Sequence, residues 1–112
     1  MPGKAFLFLA IFMFYIYILY SERSNIYYTG YTSDFVRRLL EHNSSIGVTF
    51  TSKHRPWMLK AVFSCSEVEA EAIRIERFIK KQKSKNLIER MIEGDVLHGP
   101  LAQLVRVPQV RD

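Results

Sequence analysis

Arg38, His42 and Glu76, downstream of the tyrosine-rich segments Tyr15-Ile16-Tyr17 and Tyr28-Thr29-Gly30, bring to this 112-residue chain the residue types needed to act on a phosphodiester. Cutting that bond needs four things: a deprotonated and aimed water, a counter to the extra negative charge, neutralisation of the leaving oxygen, and in-line positioning. Arginine meets the charge with a planar, bidentate fork. Histidine orients a group or moves a proton. Glutamate holds a hard divalent ion such as Mg²⁺, which keeps most of its waters and needs few protein ligands. A tyrosine on a sheet can activate water when a nearby cation favours its ionised form. Arg38 and His42 are four residues apart, so on a helix they share one face and can converge on one ligand. Each residue alone has a plainer reading. Tyrosines suit strands, an arginine often lies on a solvated helix face, a histidine can cap a helix end, and a glutamate can pair with a lysine.

The surrounding pattern predicts the elements that position these groups. Tyr15–Ser21 is rich in aromatic and β-branched residues and reads as a strand. The turn Glu22-Arg23-Ser24-Asn25 joins it to a second strand, Ile26–Tyr31, as an antiparallel hairpin. Gly30, inside that strand, suggests close backbone approach or a bulge. Ser33 is the expected cap of a helix from Asp34 to about His42, with Phe35, Val36, Leu39 and Leu40 as its apolar face. Asn43 to Pro56 is a long polar loop, a frequent place for function. Trp57–Ser64 reads as a third strand, and Ser66-Glu67-Val68-Glu69 as a capping box opening the next helix. Val68, Ala72, Ile75 and Ile79 form that helix's core stripe, beside a second stripe of Glu69, Ile73, Glu76 and Lys80. A last helix is expected over Lys85–Glu93, stopped by Gly94. The order strand, strand, helix, strand, helix, helix predicts an α+β fold: a small antiparallel sheet of three strands covered by helices.

At this length the chain forms one domain at most. Its 48% hydrophobic content excludes a disordered chain. A net charge of +5 gives mild support for a polyanionic partner. Lys53, His54 and Arg55, beside Trp57, could form a DNA-facing patch, or Trp57 could be core. Lys80, Lys81, Lys83 and Lys85 make a basic run that is either a solvated face or a nucleic-acid contact. The lone Cys65 excludes an internal disulfide and a zinc cluster, and fits a cytoplasmic location.

Both ends read differently from the middle. Ala5 to Tyr20 carries no charge, yet it falls short of a spanning helix and its second half is strand-like, so no membrane association is expected. Residues 1–12 read as a doubtful extension before a domain that opens at Met13 and runs to residue 95. Residues 96–112 lack a helical period and are expected to be unstructured. Within them, Gly99 to Val107 looks like a conceptual translation of the 5′ half of a tRNA gene, so that tail is open to being non-native.

The segments Tyr15-Ile16-Tyr17 and Tyr28-Thr29-Gly30, with Arg38 ten residues after Tyr28 and a helix carrying Arg74-Ile75-Glu76-Arg77-Phe78-Ile79-Lys80, resemble the GIY-YIG nuclease domain. The resemblance runs from about Phe14 to Ile92 and is nearest to small single-domain bacterial members and to the excinuclease nuclease domain. Tyr15 stands where glycine is usual and Thr29 where an aliphatic residue is usual. The resemblance implies Tyr28 as general base, Tyr17 as its support, Arg38 on the phosphate, His42 aiding proton transfer and Glu76 as the Mg²⁺ or Mn²⁺ ligand. It implies nucleic-acid contact by Gly30, whose missing side chain lets backbone approach the substrate, and by Asn86, at a family asparagine's position with an imperfect offset. Arg37, Lys53 and Arg55 are further candidate contacts. The implied fold is a three-stranded sheet flanked by helices. The implied function is a metal-dependent endonuclease hydrolysing DNA phosphodiesters, in repair or recombination. With no room for a recognition domain, its specificity would be low, directed at DNA structure, or supplied by a partner protein. The alternative is a non-catalytic nucleic-acid-binding module on the same fold.

Overall fold

The computed structural model describes residues 13–44 and 50–108. The expected N-terminal extension, five residues of the polar loop and the last four residues lie outside that range. The architecture is α+β: an antiparallel sheet in the order β2-β1-β3-β4, with helices on both faces.

Strand β1 (Phe14–Ser21) is central, between β2 (Ile26–Thr32) and β3 (Trp57–Ser66). This position accounts for its unbroken apolar run, since both of its faces are covered. Ile16 and Ile18 point to one core, Tyr17 and Leu19 to the other, and all four are essentially inaccessible. Each such side chain contributes about 1.5–3 kcal/mol of burial energy. That is why the run forms a strand. Among the described residues, no helix is long and apolar enough to cross a membrane.

Helix α1 (Phe35–His42) covers the Tyr17 face. It is capped by Asp34, whose side chain accepts from the Arg37 amide at 3.1 Å, one residue later than the Ser33 cap expected. Only half of its expected apolar face packs. Phe35 and Leu39 join the core with Trp57 and Val62, while Val36 and Leu40 are 59% and 68% exposed. Asn43 ends the helix and bonds both backbone groups of Trp57, accepting from its amide at 2.6 Å and donating to its carbonyl at 3.0 Å. Trp57 is therefore a core residue at 3% exposure.

Helix α2 (Glu69–Gln82) and helix α3 (Lys85–Glu93) cover the opposite face through Ala72, Ile75, Ile79, Ile88 and Met91. The predicted capping box does not form. Strand β3 runs on to Ser66, whose hydroxyl accepts from the Val68 amide at 3.0 Å, and Val68 becomes an exposed N-cap. Helix α3 has the predicted bounds, with the Ser84 hydroxyl capping the Leu87 amide and Gly94 supplying the left-handed stop at φ 91.

The expectation of an unstructured tail and of three strands is corrected. After a 3-10 turn at Gly99–Leu101, β4 (Val105–Arg106) pairs with Phe63 and Ser64 as a fourth strand. Leu101 and Leu104 enter the core, and the Arg106 guanidinium donates to the carbonyls of Ile92, at 2.7 Å, and Lys60, at 3.2 Å. Two leucines and an arginine anchor the segment without any helical period.

Candidate active site

The two faces of a sheet can meet only around an edge, and strand β2 is such an edge. There α1 approaches from one face and α2 from the other. Between them lies a cleft of about 320 Å³ lined by Tyr17, Tyr28, Arg37, Arg38, Glu69 and Glu76, with Phe14, Tyr31, Thr32 and Ser33 at its margin. Four of the five predicted catalytic side chains thus reach one cavity.

The fifth, His42, stands behind it. Its Nε2 lies 2.8 Å from the Tyr17 hydroxyl, and it is 6% exposed. Burial, with the Arg38 charge next in size, pushes the imidazole down to about 4, so it is neutral at pH 7. Burial also pushes the Tyr17 phenol up to about 12, so Tyr17 keeps its proton; Arg38 partly opposes this. Arg38 and His42 do share a helix face, but they converge on Tyr17. A neutral imidazole and a protonated phenol form a stable hydrogen bond in either tautomer.

Tyr28 sits where several elements meet. Its ring packs edge-on to His42 at 5.0 Å and lies 6.0 Å from Trp57, and Lys80 Nζ is 4.9 Å above it. Lys80 also lies 3.6 Å from a Glu76 carboxylate oxygen, one helical turn away. The Glu76 side chain is 17% exposed and lines the cleft. Arg38 donates to Glu41 at 2.7 Å, leaving part of its five-donor fork for a ligand.

The glycine of the second tyrosine-rich segment has a different task from the one expected. Gly30 is buried and stands directly opposite Tyr17 in the β1–β2 register. A Cβ there would lie 2.3 Å from the Tyr17 hydroxyl and 2.4 Å from Cζ. The space is filled by the Tyr17 ring, and Gly30 is not among the residues lining the cleft. The β1–β2 register also runs through it without a bulge.

The remaining nucleic-acid candidates separate. Arg37 lines the cleft. Lys53 and Arg55 do not. Lys53 is on the 3-10 turn Thr51–His54, and the Arg55 guanidinium donates to the Ser44 carbonyl. Asn86 is exposed in the first turn of α3, away from the cleft. Sequence reasoning gave Tyr31 and Glu69 no part in the site, and Lys80 none beyond the basic run. The stripe Glu69, Glu76, Lys80 on α2 was the available signal, and Tyr31 donates to Glu69 at 3.0 Å.

The profile of the GIY-YIG catalytic domain matches residues 13–89 of this chain. The chain belongs to the GIY-YIG family. Among similar proteins, a UPF0213 protein of Listeria welshimeri is 39% identical over 72 residues, 63% of this chain and 78% of that one. One from Fusobacterium nucleatum is 34% identical over 83 residues, covering 69% and 78% of the two chains. One from Haloquadratum walsbyi is 34% identical over 89 residues, covering 77% and 94%. The GIY-YIG match begins at Met13, just before β1, and ends within α3.

Among the described residues, no group of three or more His, Cys, Asp or Glu side chains could cage a metal. Two carboxylates line the cleft, Glu76 and Glu69, the latter accepting from the Tyr31 hydroxyl; a set this small suits Mg²⁺ or Mn²⁺ held jointly with substrate phosphate and water. The same donor set does not suit zinc or calcium, which need more protein ligands.

Proposed function

We propose that this GIY-YIG protein is a metal-dependent endonuclease that hydrolyses DNA phosphodiester bonds. The observation that carries this reading is the convergence of Tyr17, Tyr28, Arg38 and Glu76 on one cleft, with His42 locking Tyr17 from behind. Arg38 binds the non-bridging phosphate oxygens, with Arg37 beside it. Tyr28 takes the proton from the attacking water. With His42 Nε2–H donating to its oxygen, Tyr17, held protonated, donates its one hydrogen bond toward the reacting phosphate and fixes its geometry. His42 is a positioning residue, since its route to the cleft passes through Tyr17. Glu76 holds the Mg²⁺ or Mn²⁺ ion, which when bound supplies Lewis-acid stabilisation of phosphate charge. The site reads backbone chemistry, so selectivity rests on DNA structure or on a partner. A place in repair or recombination, in the cytoplasm, fits that chemistry.

The test is cleavage of branched, nicked, single-stranded and duplex DNA by the full chain, with Mg²⁺ or Mn²⁺, beside Tyr28→Phe, Arg38→Ala and Glu76→Ala. Each variant should lose at least about 10²-fold in rate, the scale of removing a positioned acid–base or charge-stabilising group. Cleavage that survives all three changes refutes the site. A folded parent that binds DNA but cuts none of the substrates favours the binding-module reading.

A further inference from the structure

A second cleft, of about 340 Å³, adjoins the first and shares Tyr28 with it. It is lined by Lys80, Lys83 and Lys85 together with the apolar Ile26, Ile79 and Ile88. We propose that this cleft is a backbone-binding subsite, holding phosphates that flank the scissile one on the same DNA strand. The proposal rests on the nuclease reading and adds the path the strand takes.

Three observations carry it. First, the cleft shares Tyr28 with the candidate active site, and Lys80 links the two: its Nζ lies 3.6 Å from a Glu76 oxygen and 4.9 Å from the centre of the Tyr28 ring. Second, its charge is of one sign. Lys80 has an ion pair with Glu76, but among the described residues Lys83 and Lys85 have no ion pair within 4.0 Å. Lys83 and Lys85 thus bring two charges to the concavity that no carboxylate within 4.0 Å balances, and an anion is drawn to them. Third, the lysines are placed by structure. Lys83 is fixed by its left-handed backbone at φ 49, the residue that ends α2. Lys85 opens α3, donates to Asn25 at 3.2 Å and lies 6.0 Å over the Tyr27 ring.

The chemistry also says what is read. Lysines cover the faces of both tyrosines, so bases do not find open stacking platforms here. Ammonium groups on flexible stems bind phosphate as point charges without base preference. The strand therefore crosses from the Arg38 cleft over Tyr28 into the lysine cleft, held by its backbone.

Phosphate contacts are counted by salt dependence. The full chain carrying Glu76→Gln would be titrated, without divalent ions, into a fluorescein-labelled mixed-sequence single strand and into its duplex, over a series of salt concentrations. Adding Lys83→Asn and Lys85→Gln should flatten the log–log slope by about 1.4 on the single strand and about 1.8 on the duplex, two phosphate contacts' worth. Asparagine suits the left-handed position of Lys83. Lys83→Arg with Lys85→Arg should restore the slope, which excludes misfolding as the cause. Lys81→Gln removes one lysine charge from an exposed neighbour outside the cleft and should leave the slope in place. An unchanged slope in the double variant, or a drop of half its size in Lys81→Gln, overturns the subsite while leaving the nuclease reading intact. No salt-dependent binding by the parent overturns both.

Discussion

Replacing Gly30 by alanine tests the geometry of the site without touching a polar group. The added methyl would sit 2.3, 2.4 and 2.7 Å from Oη, Cζ and Cε1 of Tyr17. Ordinary contact is about 3.5 Å or more, so the ring's end must retreat by about 1 Å. It has nowhere easy to go. Tyr17 is 1% exposed, and its hydroxyl is bonded to His42 at 2.8 Å. Overpacking of this kind destabilises by about 1–3 kcal/mol. Displacing a catalytic hydroxyl by about 1 Å costs about 10²-fold in rate. Two measurements on the full chain check this: urea unfolding, and cleavage of the DNA the parent prefers. Gly30→Ala should unfold at lower urea and cut about 10²-fold more slowly. Gly30→Ala with Tyr17→Leu should recover part of the stability, because the shorter side chain leaves room for the methyl, but should not recover cleavage. A Gly30→Ala protein with parental stability and rate would refute the claim that this glycine exists to seat Tyr17.

His42 predicts an acid-sensitive fold. Its imidazole is held near 4 when folded against about 6.5 when unfolded, so between those values the unfolded state takes up the proton first. Stability should therefore be full above pH 6.5 and fall by about 3 kcal/mol as pH drops to 4. His42→Gln should lose that component of the pH profile in urea unfolding, and an unaltered profile would rule His42 out as its source. The C-terminal segment should be structural. Deleting residues 96–112 removes buried Leu101 and Leu104, at about 1.5–3 kcal/mol each, and the Arg106 bonds to Ile92 and Lys60. The urea midpoint should drop clearly while the Arg38–Glu76 cleft, formed by other elements, keeps its residues. An unchanged midpoint would show that the segment's packing adds nothing.

The parts of this fold legible in the sequence carry local signals. Helix α3 has a serine cap, a helical period and a glycine stop within eleven residues, and its bounds follow from them. Strands β1 and β2 follow from composition and a short polar turn. What is not legible depends on partners distant in sequence. Val36 and Leu40 look like core residues, but α1 meets the sheet only through the side carrying Phe35 and Leu39. A two-residue strand such as β4 has no period to detect, and its register with Phe63 and Ser64 exists only in three dimensions. Gly30 can be noticed as a glycine inside a strand. That it faces Tyr17 follows only from the pairing of β1 with β2.

The same logic applies to the candidate site. The residue types are readable because phosphodiester chemistry restricts them, but the way they are brought together is not. Tyr17 and Arg38 belong to one face of the sheet, and Glu76 and Lys80 come from a helix on the other. Side chains from opposite faces can meet only past an unpaired edge, so β2 has to remain an edge for the cleft to exist. An open edge invites pairing with another strand. Here α1 and α2 flank it, and Arg37, Arg38 and Glu69 beside it make an apolar strand a poor partner. The fourth strand adds on the far side, to β3, where it enlarges the core without covering the site. The order β2-β1-β3-β4 thus lets the sheet grow at one edge while the cleft, the proposed site, keeps the other.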